Sequence, residues 1–154
     1  MAQPKFRYRL EKLLELKRKK EDDEKEKLAK LLQEEERERQ VKAQLEQRLA
    51  DVRVELRERQ RNGTLDVNGL RFYPQHIKHL ENLILNQELR LKELAIRIME
   101  QRQNLLKAAQ ERQTYEKHKE KSQETWQAEI DAADAKMIDE LATLKYAREQ
   151  ATSG

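Results

Sequence analysis

Cysteine is absent from this sequence, and glycine and proline nearly so, with three glycines and two prolines in 154 residues. Without cysteine there is no disulfide framework and no thiolate chemistry, which fits a cytosolic setting. Aromatic residues make up 5% and hydrophobic residues 36%, too little to build a large globular core. No apolar run approaches the roughly 20 residues that a membrane span needs, and no signal-peptide core follows Met1. The chain therefore reads as a soluble protein outside the usual signal route. An excess of one charge is lacking too. The 33 basic and 30 acidic residues are interleaved and leave a formal net charge of +3. Phosphate recognition wants clustered Lys and Arg, so nucleic acid is excluded as a dedicated partner.

What remains is charge and good helix formers. Charged residues are 41% of the chain, where a compact domain has about a quarter. Disorder is the competing reading of such a composition, but leucines at heptad spacing on both sides of one break favour a coiled coil. The break is the stretch NGTLDVNGLRFYP at residues 62–74. It holds every glycine except the terminal Gly154 and every proline except Pro4. Two Asn-Gly dipeptides, at Asn62 and Asn68, supply turn conformations that helices cannot use. Pro74 suits the first turn of a new helix, where its missing donor would be unpaired anyway. A short connection between long helices gives antiparallel neighbours. The expectation is an all-α fold, a long two-helix antiparallel coiled-coil hairpin. It forms a single coiled-coil unit over residues 1–154, with a helix at about 4–61, a turn at 62–73 and a helix at about 74–148.

The first arm opens on an apolar edge of Phe6, Leu10, Leu13 and Leu14 among Lys5, Arg7, Arg9 and Lys12. Residues 17–27 are then all charged, and the seam itself becomes Lys17, Glu21 and Glu24, which reads as a solvated spacer. Successive i,i+4 pairs, each worth about 0.2–0.5 kcal/mol, can hold such a helix. The best seam of this arm is Leu45, Leu49, Val52 and Leu56. The second arm is more regular, through Ile77, Leu80, Ile84, Gln87, Leu91, Leu94, Ile98, Gln101, Leu105 and Ala108. Gln87 and Gln101 are polar seam residues of the kind that fix register. The stripe restarts at Trp126, Ile130, Ala133, Met137, Leu141 and Leu144. A turn centred near residue 68 puts Val52 opposite Ile84 and Leu10 opposite residues near 126. The second arm then overhangs the first by roughly 15–20 residues, or about 25–30 Å. Leu83, Leu85, Leu89 and Ile96 exceed what a two-stranded seam requires. They mark either a partner site or a broader core trimmed by Leu65, Val67, Leu70 and Phe72.

Catalytic chemistry has no foothold. His76 and His79 lie three apart beside Glu81, but a helical zinc pair needs a third ligand and a closed pocket. Asp131, Asp134 and Asp139 share a helical region without the cleft that would shift their pKa values. The Asn-Gly turns lack the Gly-Lys-Ser/Thr pattern of a phosphate loop. No enzyme, metal or cofactor is expected.

Three segments in order resemble one family. FRYRLEKLLELKRKKED followed by LAKLL is similar to the start of the FliJ family of flagellar type III export proteins. FYPQHIKHLENLILNQELRL resembles the beginning of that family's second helix, through Tyr73, Ile77, Leu80, Ile84 and Gln87. EIDAADAKMIDELATLKYAR resembles its final turns. The resemblance implies a coiled coil similar to the central stalk subunit of rotary ATPases. Such a protein sits in the pore of the hexameric export ATPase, links it to the membrane export gate protein, and handles export chaperones. It works in the cytoplasm, peripheral to the inner face of the cell membrane, and is a monomer in isolation. Injectisome stalk proteins are close relatives. Both termini would then meet the ATPase ring, through Phe6, Arg7, Arg9, Leu10 and Leu13 at one end of the chain and Met137, Leu141 and Leu144 at the other. The hairpin end would meet the gate through a row of His76, Leu80, Leu83 and Gln87, with Leu83 exposed. Two other functions compete, a generic scaffold rod and a prefoldin-like holdase.

Overall fold

Strong helix formers on both sides of residue 63 propagate without a break, and the computed structural model, which describes residues 4–153, consists of two long helices. α1 runs Glu11–Asn62 and α2 runs Val67–Ser153. They form an all-α helical hairpin, and no strand occurs among the described residues. Contacts divide the chain into two compact units, residues 22–107 and residues 1–21 with 108–154, where the sequence pattern was read as one.

The connection is shorter than the composition suggests. Gly63 takes φ 67°, and Thr64 N donates to the Arg59 carbonyl at 3.0 Å, the six-to-one bond that closes a helix C-terminus. Asp66 then caps α2: its Oδ1 accepts from Gly69 N at 2.8 Å, three residues on. The second Asn-Gly is therefore the first turn of a helix rather than a turn, because the aspartate before it satisfies the orphan amide. Pro74 falls inside α2 instead of opening it. It removes one intrahelical bond, a defect of about 3 kcal/mol in a free helix. The early start is held by burial. Tyr73 is 3% exposed and donates from its hydroxyl to Glu55 Oε1 at 2.9 Å.

In the unit of residues 22–107, Leu49, Val52, Tyr73 and Leu80 form the core, with Leu45, Leu56, Leu65, Ile77, Leu83 and Ile84 packed on it. Of the four connection residues read as trimming a broader core, Leu65 does so; Val67, Leu70 and Phe72 are exposed. The direction of pairing is antiparallel: Arg53 meets Glu81 at 2.8 Å, and Lys42 meets Glu88 at 3.5 Å. Beyond the cluster Leu94 and Ile98 are buried, and Gln87 and Gln101 occupy the seam beside them. Gln87 Nε2 donates to the Glu38 carbonyl at 2.9 Å and to its carboxylate. Gln101 Nε2 donates to the Glu24 carbonyl at 3.1 Å and to its carboxylate. Each amide satisfies both a backbone and a side-chain acceptor on α1, so both glutamines set register as their seam positions imply.

In the other unit, α1 begins at Glu11 rather than near Pro4. Residues 4–8 are not helical, and Glu11 N reaches the Tyr8 carbonyl at 3.1 Å. Phe6 and Tyr8 explain this. In extended chain, residues two apart share a side, whereas on a helix they diverge. Both rings meet α2: Phe6 lies 5.7 Å from the Trp126 ring, and the Tyr8 hydroxyl is 2.6 Å from His118 Nδ1. Trp126 is thus met by Phe6, and Leu10's neighbour Glu11 pairs with Lys119 at 2.9 Å. The register differs from a turn centred on residue 68 because the connection is residues 63–66.

The charged run is not simply solvated either. Glu21 is 7% exposed and bonds to Arg112, which also pairs with Glu116 at 2.6 Å. Lys17 reaches Glu111 at 3.1 Å with its ammonium 5.9 Å from the Tyr115 ring. Arg112, which weakens the apolar stripe of α2, stands where Glu21 needs a cation.

Candidate interaction surfaces

The residues assigned to a ring-facing end all lie in the unit of residues 1–21 with 108–154, but they differ in availability. Leu14 is fully buried, and Phe6, Leu10 and Leu13 are half-buried beside it. Arg7 and Arg9 are exposed between them, since alternate residues of the extended segment face away from α2. Further along α2 every residue from 131 to 153 is exposed. Met137 is 63% exposed, Leu141 60% and Leu144 58%. Steps of four and three put these three on one helix face. Ile138 flanks this face and widens the apolar surface; it falls outside the heptad positions that mark the stripe, whereas exposed Tyr146 lies on the opposite side of the helix.

The row of His76, Leu80, Leu83 and Gln87 does not form an exposed patch. Leu80 is 1% exposed in the core, and Gln87 is 4% exposed and bonded to Glu38. Leu83 is half-buried and packs on the cluster of Leu49, Val52, Tyr73 and Leu80, not free of it as expected. The reason is breadth: near the connection, where Tyr73 and Leu65 enter, the core is wider than a two-helix seam. His76 is half-buried and stacks on Phe72, ring centres 5.2 Å apart. Phe72 itself is exposed and lies against the edge of the Tyr73 ring.

Burial, then the bond to Glu55, push the Tyr73 hydroxyl above its ordinary pKa. The hydrogen bond from Lys17, then the charges of Lys17 and Lys20, hold Glu111 below the usual carboxylate range. Arg112 is raised, mainly by its bond to Glu21. Among the described residues no three His, Cys, Asp or Glu side chains converge as a metal site would require, and no helix is long and apolar enough to cross a membrane.

The model of one family, the flagellar FliJ protein, matches residues 6–151 of the chain. No curated protein and no solved structure matches it.

Proposed function

The chain belongs to the FliJ family and is a component of the flagellar export apparatus, and from that membership we propose that it serves as the non-enzymatic central stalk. In this reading the ends of the chain enter the hexameric export ATPase, the hairpin end contacts the membrane export gate, and export chaperones are handled on the way. The protein then works in the cytoplasm at the inner face of the cell membrane and is monomeric before assembly.

The observation that carries the reading is the exposed face of Met137, Ile138, Leu141 and Leu144. An apolar face of this size on a charged helix is a site awaiting a partner. A ring of ATPase subunits around it would cover all sides at once, with Arg7 and Arg9 placed to meet acidic groups. At the hairpin end, the half-buried His76 and Leu83 are the residues of that row left to touch the gate.

The test uses purified export ATPase and this protein. Leu141→Asp with Leu144→Asp should abolish stimulation of ATP hydrolysis while the melting curve stays within a degree or two, because both residues are exposed. Arg7→Glu with Arg9→Glu should weaken stimulation. Full stimulation by both variants would overturn the stalk reading.

A further inference from the structure

In the unit of residues 22–107, α2 carries a second stripe with the period of a coiled coil. Leu85, Leu89, Ile96, Met99 and Leu106 are each more than half exposed, from 52% at Leu89 to 63% at Met99. With Lys92 and Gln103 they occupy positions 85, 89, 92, 96, 99, 103 and 106, alternating steps of four and three throughout. The inner seam through Leu80, Gln87, Leu94, Ile98 and Gln101 is buried against α1. At 3.5 residues per turn the two stripes lie about 150° apart on the helix, so α1 cannot serve both. Scattered surface leucines are ordinary, whereas five large apolar residues in phase over about 30 Å of helix are a seam without its partner. Unbroken four-three spacing is matched by another helix, whose side chains enter the holes between these.

The flanking charges decide which helix. One flank of the stripe reads Asn86, Glu93, Glu100 and Lys107, and the other Glu88, Ala95 and Arg102. Over residues 86–100 the charged flank residues are Glu93 and Glu100 on one side and Glu88, which already pairs with Lys42 of α1, on the other; from residue 102 on they are Arg102 and Lys107. A second copy fits badly in either direction. Paired in parallel, it would set Lys92 against its own equivalent, Glu88 beside Glu93 and Arg102 beside Lys107. Paired antiparallel with Leu89 over Leu106, it would set Glu93 beside Glu100 twice. Like charges at these positions disfavour pairing. We infer that this stripe seats an amphipathic α-helix of a different protein, with apolar residues at four-three spacing and Lys or Arg flanking the part that lies over residues 85–100. The inference does not depend on the stalk reading.

Two labelled three-heptad peptides test this against the full-length protein, both with leucine at the seam positions. One carries lysine on its flanks and the other glutamate. Fluorescence anisotropy at low salt should show the lysine peptide binding at least tenfold more tightly. Leu89→Asp with Ile96→Asp should cut that binding at least tenfold with the circular dichroism melt unchanged. Glu93→Lys with Glu100→Lys, which touches no apolar residue, should reverse the preference between the peptides. Equal binding of the two peptides, binding of neither, or a preference that survives the charge reversal would overturn the inference. So would a dimer in sedimentation that Ile96→Asp dissolves, since the occupant would then be a second copy.

Discussion

In residues 22–107 the helices close over aliphatic side chains, with Leu80, Leu49 and Val52 touching one another around Tyr73. In residues 1–21 with 108–154 the same two helices meet through different chemistry. There Leu14, Ala108, Tyr8 and Glu21 are buried, Glu21 bonds to Arg112, and the Phe6 and Trp126 rings meet at a tilt of 53°. The first arrangement gains mainly from apolar area removed from water, which is non-directional and tolerant. The second depends on partners of fixed geometry, and a missing partner leaves a polar group stranded. An unfilled apolar face on α2 from Met137 onward belongs to this second unit, so the part with less aliphatic core also offers a candidate docking face.

The largest effect should come from the core. Leu80→Ala should lower stability by about 2–5 kcal/mol, since it removes a fully buried side chain whose neighbours cannot collapse into the space. Leu14→Ala, equally buried, should fall at the lower end of that range because Leu14 stands outside the aliphatic cluster that holds Leu80. Thermal melts of both variants check this, and equal losses would erase the distinction drawn between the units.

A middle effect is expected at Arg112. Arg112→Met removes a cation bonded to buried Glu21, and its melting temperature should fall by several degrees. That deficit should persist at 1 M salt, because partly buried charges are screened far less than exposed ones. Melts at low and high salt measure it; a deficit that vanishes in salt would make this pair an ordinary surface bridge.

The smallest effect should be at Lys17. Glu111 has its folded-state pKa depressed, first by the Lys17 hydrogen bond. A depressed carboxylate contributes stability above its unfolded value, about 4.3, and that contribution is lost as pH falls through the lower folded value. Lys17→Met should therefore melt slightly below wild type at pH 7, with the gap closing in acid. A gap that is constant with pH would place the effect in the contact of the Lys17 ammonium with the Tyr115 ring instead.

Much of this was legible in the chain. The hairpin followed from one interruption between two runs of helix formers, and the inner seam of α2 followed from steps of four and three. The FliJ resemblance rested on three segments that fall within the matched residues. Local propensity misled where tertiary contacts outweighed it. Asn68 and Gly69 look like a turn, but Asp66 caps them into a helix. Phe6 and Leu10 look like one helical edge, but Phe6 sits in an extended segment ordered against Trp126. Leu83 looks surplus to a two-stranded seam, but Tyr73 and Leu65 widen the core enough to take it in.

By itself the sequence determined that the fold would be two helices folded back on each other. Composition forbids a larger core, and a heptad period needs a partner helix to bury its stripe. Only the tertiary structure decided which residues of those stripes are covered. Leu80 and Leu144 both sit on apolar stripes of α2, yet one is 1% exposed and the other 58%. Coverage depends on where the other arm lies, and that is set by the Gly63 closure, the Asp66 cap and the Gln87 and Gln101 bonds acting across the pair.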